Sequence, residues 1–570
     1  MRSTVEEPRG EFVTGPGHRP DGRSPARTSV TDRLAGRAAN TTFFGRRIGD
    51  LTAELRRRRV PSHWTNLFGV VTLACIVVIT VTGVLLMFWY TPSSELTTYS
   101  GGYAPLHGAE VSKAFASTMH ISFEVPGGLL IRQAHHWAGL LLPASIIMQL
   151  LTTFFTGAFR RPRRAMWVLL FLIFVVALAG GWSGYALPDD MLSGTGLRIT
   201  EGIARGIPLV GTWLSFLLFG GEFPGQIIEY LYPLHVAVVP ALLIALVAAR
   251  ALAAWHHRPP QFPGIGRSEQ HIVGVPMLPN AAARAGGLMF IVTGLILLIS
   301  ALVTVNPIQL YGPASPTDAG AGSQPDWYTG FLDGALRLVP VGWEFVWLDR
   351  TWTLALLVPL AVVTAYMLLI VVYPFVEEWI TGDHRDHHLL DRPRNAPTRT
   401  AIGVAAIVFY GTLWIAASAD LISTHFSVTF EGVITVLQAT LVLGPATAFF
   451  IAKRVCLALQ RKDHELLVHG FETGRIVRMP GGEYVEMHKP VSEHERWRIG
   501  SVDVPRPLEL RPDERGRLTV ARRVQVLLSR FFFEDRIEVR ASERAIDARD
   551  DSATTSDAPI AEDLATAHRH

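Results

Sequence analysis

The sequence has 570 residues, of which 49% are hydrophobic and only 18% are charged, whereas soluble globular domains carry about a quarter charged residues. The net charge of +3 is too small for a nucleic-acid partner bound through phosphate contacts. The two cysteines, Cys75 and Cys456, exclude a disulfide framework, a four-cysteine metal site and a C-x-x-C-H haem attachment, so these totals indicate a polytopic membrane protein.

Residues 1–45 are rich in Arg, Gly, Pro, Ser and Thr and show no apolar periodicity, which predicts a disordered tail and not a cleaved signal peptide. Beyond it, eight apolar stretches are long enough to cross a bilayer, which takes about 20 residues. In chain order these spans are 67–89, 133–155, 166–186, 232–254, 286–305, 353–374, 400–418 and 430–452. The sequence therefore predicts an all-α polytopic membrane protein with eight transmembrane helices.

Basic residues alternate between the connections of these spans. Lys and Arg are concentrated in the N-terminal segment, in the connections after spans 2, 4 and 6, and in the C-terminal tail. The positive-inside rule therefore predicts that both termini are cytoplasmic. The connections after spans 1, 3 and 5 are long and contain aromatic residues, so we expect them to fold over the outer membrane face or to form a plain external cap.

The same pattern divides the chain into four predicted parts. They are a cytoplasmic tail at 1–45, an N-terminal helical bundle at 46–265, a C-terminal part at 266–456 and a cytoplasmic extension at 457–570. Within the extension, alternating apolar residues from Arg475 to Pro490 favour either a small hairpin or a contact with a partner.

Two spans begin with histidine near the predicted outer face. Span 2 opens with RQAHHW at 132–137, and span 4 opens with YPLH at 232–235. Because a histidine inside a membrane is energetically unfavourable, its presence there suggests a functional role. His135 and His235 are predicted to lie at similar depth, where two facing imidazoles can supply both axial ligands of a haem iron. Arg132 can pair with a haem propionate. The alternative is a pair of interfacial histidines that hydrogen-bond to loops.

Two further segments suggest chemistry. The glycine-rich end of span 3, GGWSGYALP at 180–188, allows either a flat cofactor or a neighbouring helix to approach the backbone. The connection after span 5 contains Pro325, Asp326, Trp327 and Tyr328 in succession. A buried carboxylate there can accept a proton from a hydroquinone. An interfacial aromatic belt also explains the tryptophan and the tyrosine.

Together these motifs resemble cytochrome b of the cytochrome bc1 and b6f complexes, above all the long actinobacterial form, over roughly residues 60–500. The matching segments are 101–106, 132–137, 154–163, 181–190, 261–264 and 325–328. The resemblance implies a four-helix haem-binding bundle in the N-terminal half, with His135 and His235 as axial ligands of the outer haem b and Arg132 beside it. It also implies that Pro325, Asp326, Trp327 and Tyr328 form the quinol-oxidation motif, in which the usual acid is glutamate.

The family carries a second pair of haem ligands deeper in the same two spans, 14 residues further along span 2 and 14 or 15 along span 4. Here those positions are Gln149 and Arg250. An arginine cannot lose its proton to bind iron, and a glutamine is at best a weak ligand. Three positions after the inner ligand of span 2, the family usually has a basic residue, and this sequence has Thr152. The nearest histidines of span 4, His256 and His257, lie beyond Arg250. We therefore predict one outer haem b and no normal inner haem.

In the family, quinol oxidation sends one electron to a Rieske iron–sulfur protein and the other across the membrane through the two haems. The resemblance implies a subunit of a proton-translocating quinol–cytochrome c reductase in the bacterial plasma membrane. It implies as partners quinol, a Rieske iron–sulfur subunit, a cytochrome c subunit and a second copy of this chain. Two alternatives stay open. One is a divergent paralogue that binds haem or quinone without full turnover, and the other is an unrelated eight-helix carrier or scaffold.

Overall fold

The computed structural model describes residues 43–221, 223–315, 317, 324–340, 342–500, 506–512, 518–534 and 536–537. Within these residues, eight helices are long and apolar enough to cross a membrane, which confirms the predicted number and the fold class. They span Trp64–Leu86, Gly128–Phe155, Arg164–Ala186, Ile227–His256, Met277–Leu302, Leu354–Thr381, Pro397–Ala416 and Phe430–His469. In a bilayer only a helix or a closed barrel satisfies every backbone hydrogen bond, so long apolar stretches of this kind become helices.

The described residues form eighteen α-helices and eight strands. The helices are α1 Phe43–Arg57, α2 Leu67–Leu86, α3 Lys113–Phe123, α4 Gly128–Phe155, α5 Arg164–Ala186, α6 Met191–Gly206, α7 Gly211–Phe219, α8 Ile227–Pro233, α9 Val239–His256, α10 Ala282–Leu302, α11 Ile308–Tyr311, α12 Gly330–Arg337, α13 Leu354–Thr381, α14 Pro397–Ala416, α15 Ala419–Phe426, α16 Phe430–His469, α17 Glu493–Ile499 and α18 Val520–Phe533. The strands are β1 Arg59–Val60, β2 Leu96–Thr98, β3 Glu110–Ser112, β4 Val275–Pro276, β5 Glu344–Trp347, β6 Arg350–Thr353, β7 Phe471–Arg478 and β8 Tyr484–Lys489. They pair antiparallel as β1–β4, β2–β3, β5–β6 and β7–β8.

Helices α2, α4, α5 and α9 form a four-helix bundle in the N-terminal half. α2 lies along α4, α4 along α5, and α5 along α9, so α4 and α9 stand at opposite corners. Small buried side chains such as Ala134 and Ala138 line the interior beside Cys75, Ile146 and Trp167. Small residues let membrane helices approach closely, which explains their place in this core.

The bundle has two ends that differ in their side chains. His135 in α4 and His235, between α8 and α9, lie at one end, which we call the histidine end. Gln149 and Arg250 lie further along the same two helices and mark the arginine end. A separation of 14 residues in α4 corresponds to roughly 21 Å along a helix axis.

The C-terminal helices surround this bundle. α10 packs on α2 and α4, α13 on α5, and α14 on α4 and α16. At the arginine end, Arg399 of α14 is buried and forms ion pairs with Glu377 of α13 at 2.5 Å and with Asp391 at 2.8 Å. This ion-pair cluster joins the ends of α13 and α14 where both leave the apolar region.

The connections at the histidine end are folded. The connections after the first and third spans contain α3, α6 and α7, which pack with α8 through Ala114, Leu197, Phe219 and Ile228. The sequence predicts long connections here but not their helices. One of these, α6, is amphipathic and begins with a capping box between Asp190 and Ser193. Of the two expectations, a layer folded over this face agrees with the structure.

The two tails differ in how much of them the structure describes. Residues 1–42 of the predicted N-terminal tail lie outside the described residues, and α1 begins at Phe43, inside the predicted tail. In the C-terminal extension, β7 and β8 form the hairpin that the sequence suggested, although it begins earlier, at Phe471. The predicted division of the chain at 45, 265 and 456 stays a prediction, and α16 runs across residue 456 to His469.

Candidate functional site

The two histidines predicted as a pair face each other across the bundle. The ring centroids of His135 and His235 are 6.0 Å apart, with an angle of 69° between the ring planes. A metal held by two imidazole nitrogens at about 2.0 Å each sits between rings whose centroids are roughly 6 Å apart. The spacing of the two side chains therefore fits a single metal ion between them.

Hydrogen bonds fix which nitrogen of each ring is free. Thr82 Oγ1 lies 3.0 Å from His135 Nδ1 and donates its own hydrogen to Val78 O at 2.6 Å, so it accepts from the ring. His235 Nδ1 lies 3.1 Å from Gly180 O, which can only accept, and 3.1 Å from Ser183 Oγ. Both rings thus carry the proton on Nδ1 and leave the Nε2 lone pair for a metal, as in histidines that bind metals in proteins.

His235 occupies a widened helical turn. Residues Leu234–Val238 form a π-helical turn between Pro233 and Pro240, in which Val239 N–H bonds to Leu234 O, five residues back. Neither proline has a backbone N–H for the regular helical pattern. Single π-turns inside α-helices are frequent at functional sites because they re-aim a side chain.

Glycines make room for the two rings. A Cβ atom added to Gly184 would lie 2.5 Å from His235 Cε1, and one added to Gly83 would lie 3.1 Å from His135 Cε1. At Gly181 an added Cβ would lie 2.3 Å from the hydroxyl of Tyr328. The glycine-rich end of α5 therefore admits a histidine ring and a loop side chain close to its backbone.

Arg132 meets the test for a haem neighbour. Its Nε and Nη2 atoms are buried and have no hydrogen-bond partner among the described residues. Since a buried donor without a partner is unfavourable, an arginine in this state suits an anionic group. A haem propionate supplies such a group through a bidentate contact. Facing imidazoles, free Nε2 atoms and an unpartnered guanidinium together fit a b-type haem at the histidine end.

The Pro325–Tyr328 segment meets the same end of the bundle. Tyr328 Oη donates a hydrogen bond to Asp326 Oδ2 at 2.8 Å, and His136 Nε2 lies 3.4 Å from Asp326 Oδ1. Trp327 Nε1 donates to Leu140 O of α4 at 3.2 Å. The structure therefore brings Asp326, Trp327 and Tyr328 onto the helix that carries His135, with Pro325 at the start of the segment.

His136 is a residue that the sequence did not single out. The side chains of His136 and Asp326 are 19% and 10% exposed, so the carboxylate is largely shielded from solvent. Burial and the neighbouring Asp326 carboxylate raise the pKa of Tyr328 well above its ordinary value, so the phenol stays a hydrogen-bond donor. The signal for His136 was the His-His doublet, because consecutive residues of a helix point in different directions and the second ring faces the loop.

The arginine end is arranged differently. Gln149 Oε1 accepts a hydrogen bond from Arg250 Nη1 at 3.1 Å, and Gln149 Nε2 lies 2.7 Å from Thr72 Oγ1, which lies 2.7 Å from Ser145 Oγ. His256, the nearest histidine of α9, is exposed and bonded to Leu252 O. The predicted inner ligand positions are therefore bonded to each other, and the side chains present there do not fit a haem.

Comparisons with known proteins show which proteins this chain is similar to. A family model described as cytochrome b (N-terminal)/b6/petB matches residues 140–313. A protein of Streptomyces coelicolor named cytochrome bc1 complex cytochrome b subunit is 42% identical over 498 residues, covering 87% of this chain and 90% of its own. A protein of Mycobacterium leprae with the same name is 42% identical over 445 residues, covering 77% and 80% of the two chains. A solved structure titled hyperthermophilic respiratory Complex III has a TM-score of 0.56 at 19% identity, covering 75% of this chain and 98% of its own, and supports the fold alone.

Proposed function

This chain belongs to the cytochrome b subunits of the cytochrome bc1 complex, and we propose that it oxidises quinol at the histidine end, where it binds one haem b. As a family member it is the membrane subunit of a quinol–cytochrome c reductase. The observation that carries the finer proposal is the pair of facing imidazoles, 6.0 Å between centroids, beside an arginine with unpartnered nitrogens. The relationship to these proteins excludes the reading as an unrelated carrier or scaffold.

The haem, when bound, accepts and passes on single electrons. His135 and His235 hold its iron through Nε2, because Thr82, Gly180 and Ser183 occupy the Nδ1 side of the two rings. Arg132 binds a propionate and so fixes the orientation of the ring in the bundle. These residues form the electron-accepting side of the site.

Asp326 accepts the proton that quinol must lose. Tyr328 donates to Oδ2, so Oδ1 is the carboxylate oxygen that does not accept from the phenol. His136 lies next to that oxygen and provides a second position for the proton. Trp327 donates its indole N–H to α4 and so fixes the position of the neighbouring Asp326 carboxylate along the bundle axis. A proton acceptor within hydrogen-bond reach of its substrate is the first geometric requirement of general base catalysis.

The orientation and partners follow from charge and family. The arginine end carries the basic connections, so it faces the cytoplasm, both termini lie there, and the histidine end faces outward. In a bacterial plasma membrane the outward site then meets a Rieske iron–sulfur subunit and a cytochrome c subunit, the partners implied by the name of the complex. The chain is expected to assemble as a homodimer, like its family.

One observation favours a second function. Since the side chains of the arginine end do not fit a haem, no electron route across the bundle follows from the residues present there. A divergent paralogue that binds haem, quinone or both without full turnover is therefore the alternative to a complete reductase.

Turnover distinguishes the two functions. The complex is purified with a tag on this chain, and quinol-dependent reduction of cytochrome c is followed together with the dithionite-reduced spectrum. Reduction of cytochrome c, with a b-type band, is the expected result for the reductase. A b-type band without cytochrome c reduction identifies a haem-binding paralogue, and absence of any b-type band rejects the reductase and the proposed haem site. A Rieske gene beside this gene would independently favour the reductase.

A further inference from the structure

A cavity of about 280 Å³ opens at the arginine end of the bundle. It lies between the start of α2, the end of α4, the start of α5 and the connection that follows α9. Its cationic side chains are Arg163, Arg250 and Arg267, with His63 beside them. No aspartate or glutamate is among the described residues that line it. A cavity with three guanidinium groups and no carboxylate carries a positive potential that attracts anions.

Arg250 is the least satisfied of these cations. Its Nη1 donates to the neutral Gln149 amide, and its Nε is buried without a hydrogen-bond partner among the described residues. Within the part of the chain that the structure describes, Arg250 forms no recorded ion pair with a carboxylate, and no acidic residue lines the cavity. Arg250 is partly buried, and a partly buried cation without an anion is unfavourable, so an arginine in this position indicates a missing negative partner.

Neighbouring arginines at the same end do have acidic partners. Arg399 pairs with Glu377 and Asp391, Arg394 pairs with Asp463 at 3.0 Å, and Arg164 pairs with Glu378. The sequence therefore supplies carboxylates to arginines elsewhere at this end and not to Arg250. The contrast assigns the missing anion to something other than the described chain.

The remaining lining groups indicate the class of anion. Ser62 contributes a hydroxyl, while Trp167 and Leu170 line an apolar wall. The Thr152 hydroxyl and the Asn66 amide already donate to Met148 O and Pro61 O. Arginine side chains bind carboxylates and phosphates, and a phosphate offers several guanidiniums more negative charge and more acceptor oxygens than a carboxylate does. Basic pockets between transmembrane helices on the cytoplasmic side bind anionic lipid headgroups.

We propose that the cavity at the arginine end, in place of an inner haem, binds a phosphate group. The group is either free inorganic phosphate or the headgroup of an anionic phospholipid whose chains lie along the apolar wall. Arg250 binds it with its guanidinium group, and Arg163 and Arg267 complete the positive surroundings. This inference rests on the proposed absence of an inner haem.

The test uses the purified, delipidated, detergent-solubilised complex and isothermal titration calorimetry with three probes. These are inorganic phosphate, dioctanoyl phosphatidylglycerol and, as a zwitterionic control, dioctanoyl phosphatidylcholine. Arg250→Gln removes the cation, and Gln149→Glu places a carboxylate of nearly the same shape beside it. Both changes are expected to weaken the binding of the anionic probe by roughly tenfold or more, since the first removes the positive charge and the second pairs it with a carboxylate. Arg461→Gln, at an exposed position of α16 outside the cavity, is the matched control and should leave affinity unchanged.

The probes distinguish the two sources. Binding of phosphatidylglycerol without inorganic phosphate identifies a lipid headgroup, and binding of both identifies the free anion, provided that both cavity variants lose it. If neither probe binds, or if Arg250→Gln and Gln149→Glu both retain full affinity, the proposal is wrong. Haem content is measured on the same samples. A second b-type haem in the unaltered protein would overturn the one-haem proposal, whereas a one-haem protein that binds neither probe overturns only the anion site.

Discussion

The two ends of the four-helix bundle present the same scaffold with opposite chemistry. In both, one side chain from α4 faces one from the α8–α9 segment. At the histidine end the pair is two imidazoles held apart at 6.0 Å, with each Nδ1 already bonded. At the arginine end the pair is Gln149 and Arg250, bonded directly to each other. The difference teaches that one scaffold can carry opposite side-chain chemistry at its two ends, and on the proposed function two side chains decide which end binds haem.

The largest expected effect is the loss of the haem. His235→Ala removes one of two axial ligands from an apolar bundle, and the remaining imidazole is not expected to hold haem alone. The b-type band of the purified protein should disappear. His256→Ala serves as the control, because it makes the same change in the same helix at an exposed position. A full haem spectrum in His235→Ala would show that His235 is not needed to bind the haem, and that the histidine pair does not explain the difference between the two ends.

The next effect concerns the chemistry beside the haem. Asp326→Asn keeps the shape of the side chain and removes its capacity to accept a proton, so quinol oxidation should slow by roughly 10²- to 10⁴-fold. Haem content should stay unchanged. Asp349→Asn, at the exposed tip of the β5–β6 hairpin in the same connection, is the matched control. Unchanged quinol oxidation in Asp326→Asn would show that another group accepts the proton.

The third prediction converts one end into the other. Gln149→His combined with Arg250→His restores the two ligand types at the arginine end, and the expected result is a second b-type signal, which doubles haem per chain. Gly69 leaves space beside position 149, since a Cβ atom added to this glycine would lie 3.6 Å from Gln149 Oε1. Haem per chain is measured against the unaltered protein. An unchanged ratio would contradict the view that two side chains alone distinguish the ends.

The smallest expected effect comes from the space around a single ring. Gly184→Ala adds a Cβ 2.5 Å from His235 Cε1, which forces the ring or α5 to move. Overpacking of this kind typically costs about 1–3 kcal/mol, so the haem should be retained less firmly and its reduction potential should shift. Gly139→Ala in α4 is the control, because no atom lies within 4 Å of its added Cβ. Equal behaviour of the two variants would show that close contact with the ring is unimportant.

Much of this account could be predicted from the sequence because membrane helices have a strong signal. The eight spans follow from apolar length alone, and the facing of His135 and His235 follows from their equal positions in two spans that run the same way. The positions of Gln149 and Arg250 were identified from the resemblance to cytochrome b, in which a second ligand pair lies 14 or 15 residues further along the same two spans.

Other features depend on contacts between distant segments. His136 meets Asp326 across 190 residues of sequence, and no local pattern predicts that meeting. The π-turn at His235, the amphipathic helix α6 and the short apolar helix α7 lie in segments too short or too mixed for a periodicity to identify them. The bond between Gln149 and Arg250 likewise requires knowledge of how α4 and α9 are rotated.

Haem stoichiometry with potentiometric titration tests the difference between the ends most directly. The purified protein is assayed for b-type haem per chain, and its absorbance is followed through a full redox titration. One haem per chain, titrating as a single centre that is lost in His235→Ala, is the predicted result. Two b-type centres of distinct potential per chain would contradict the account, because the arginine end would then hold a haem despite Gln149 and Arg250.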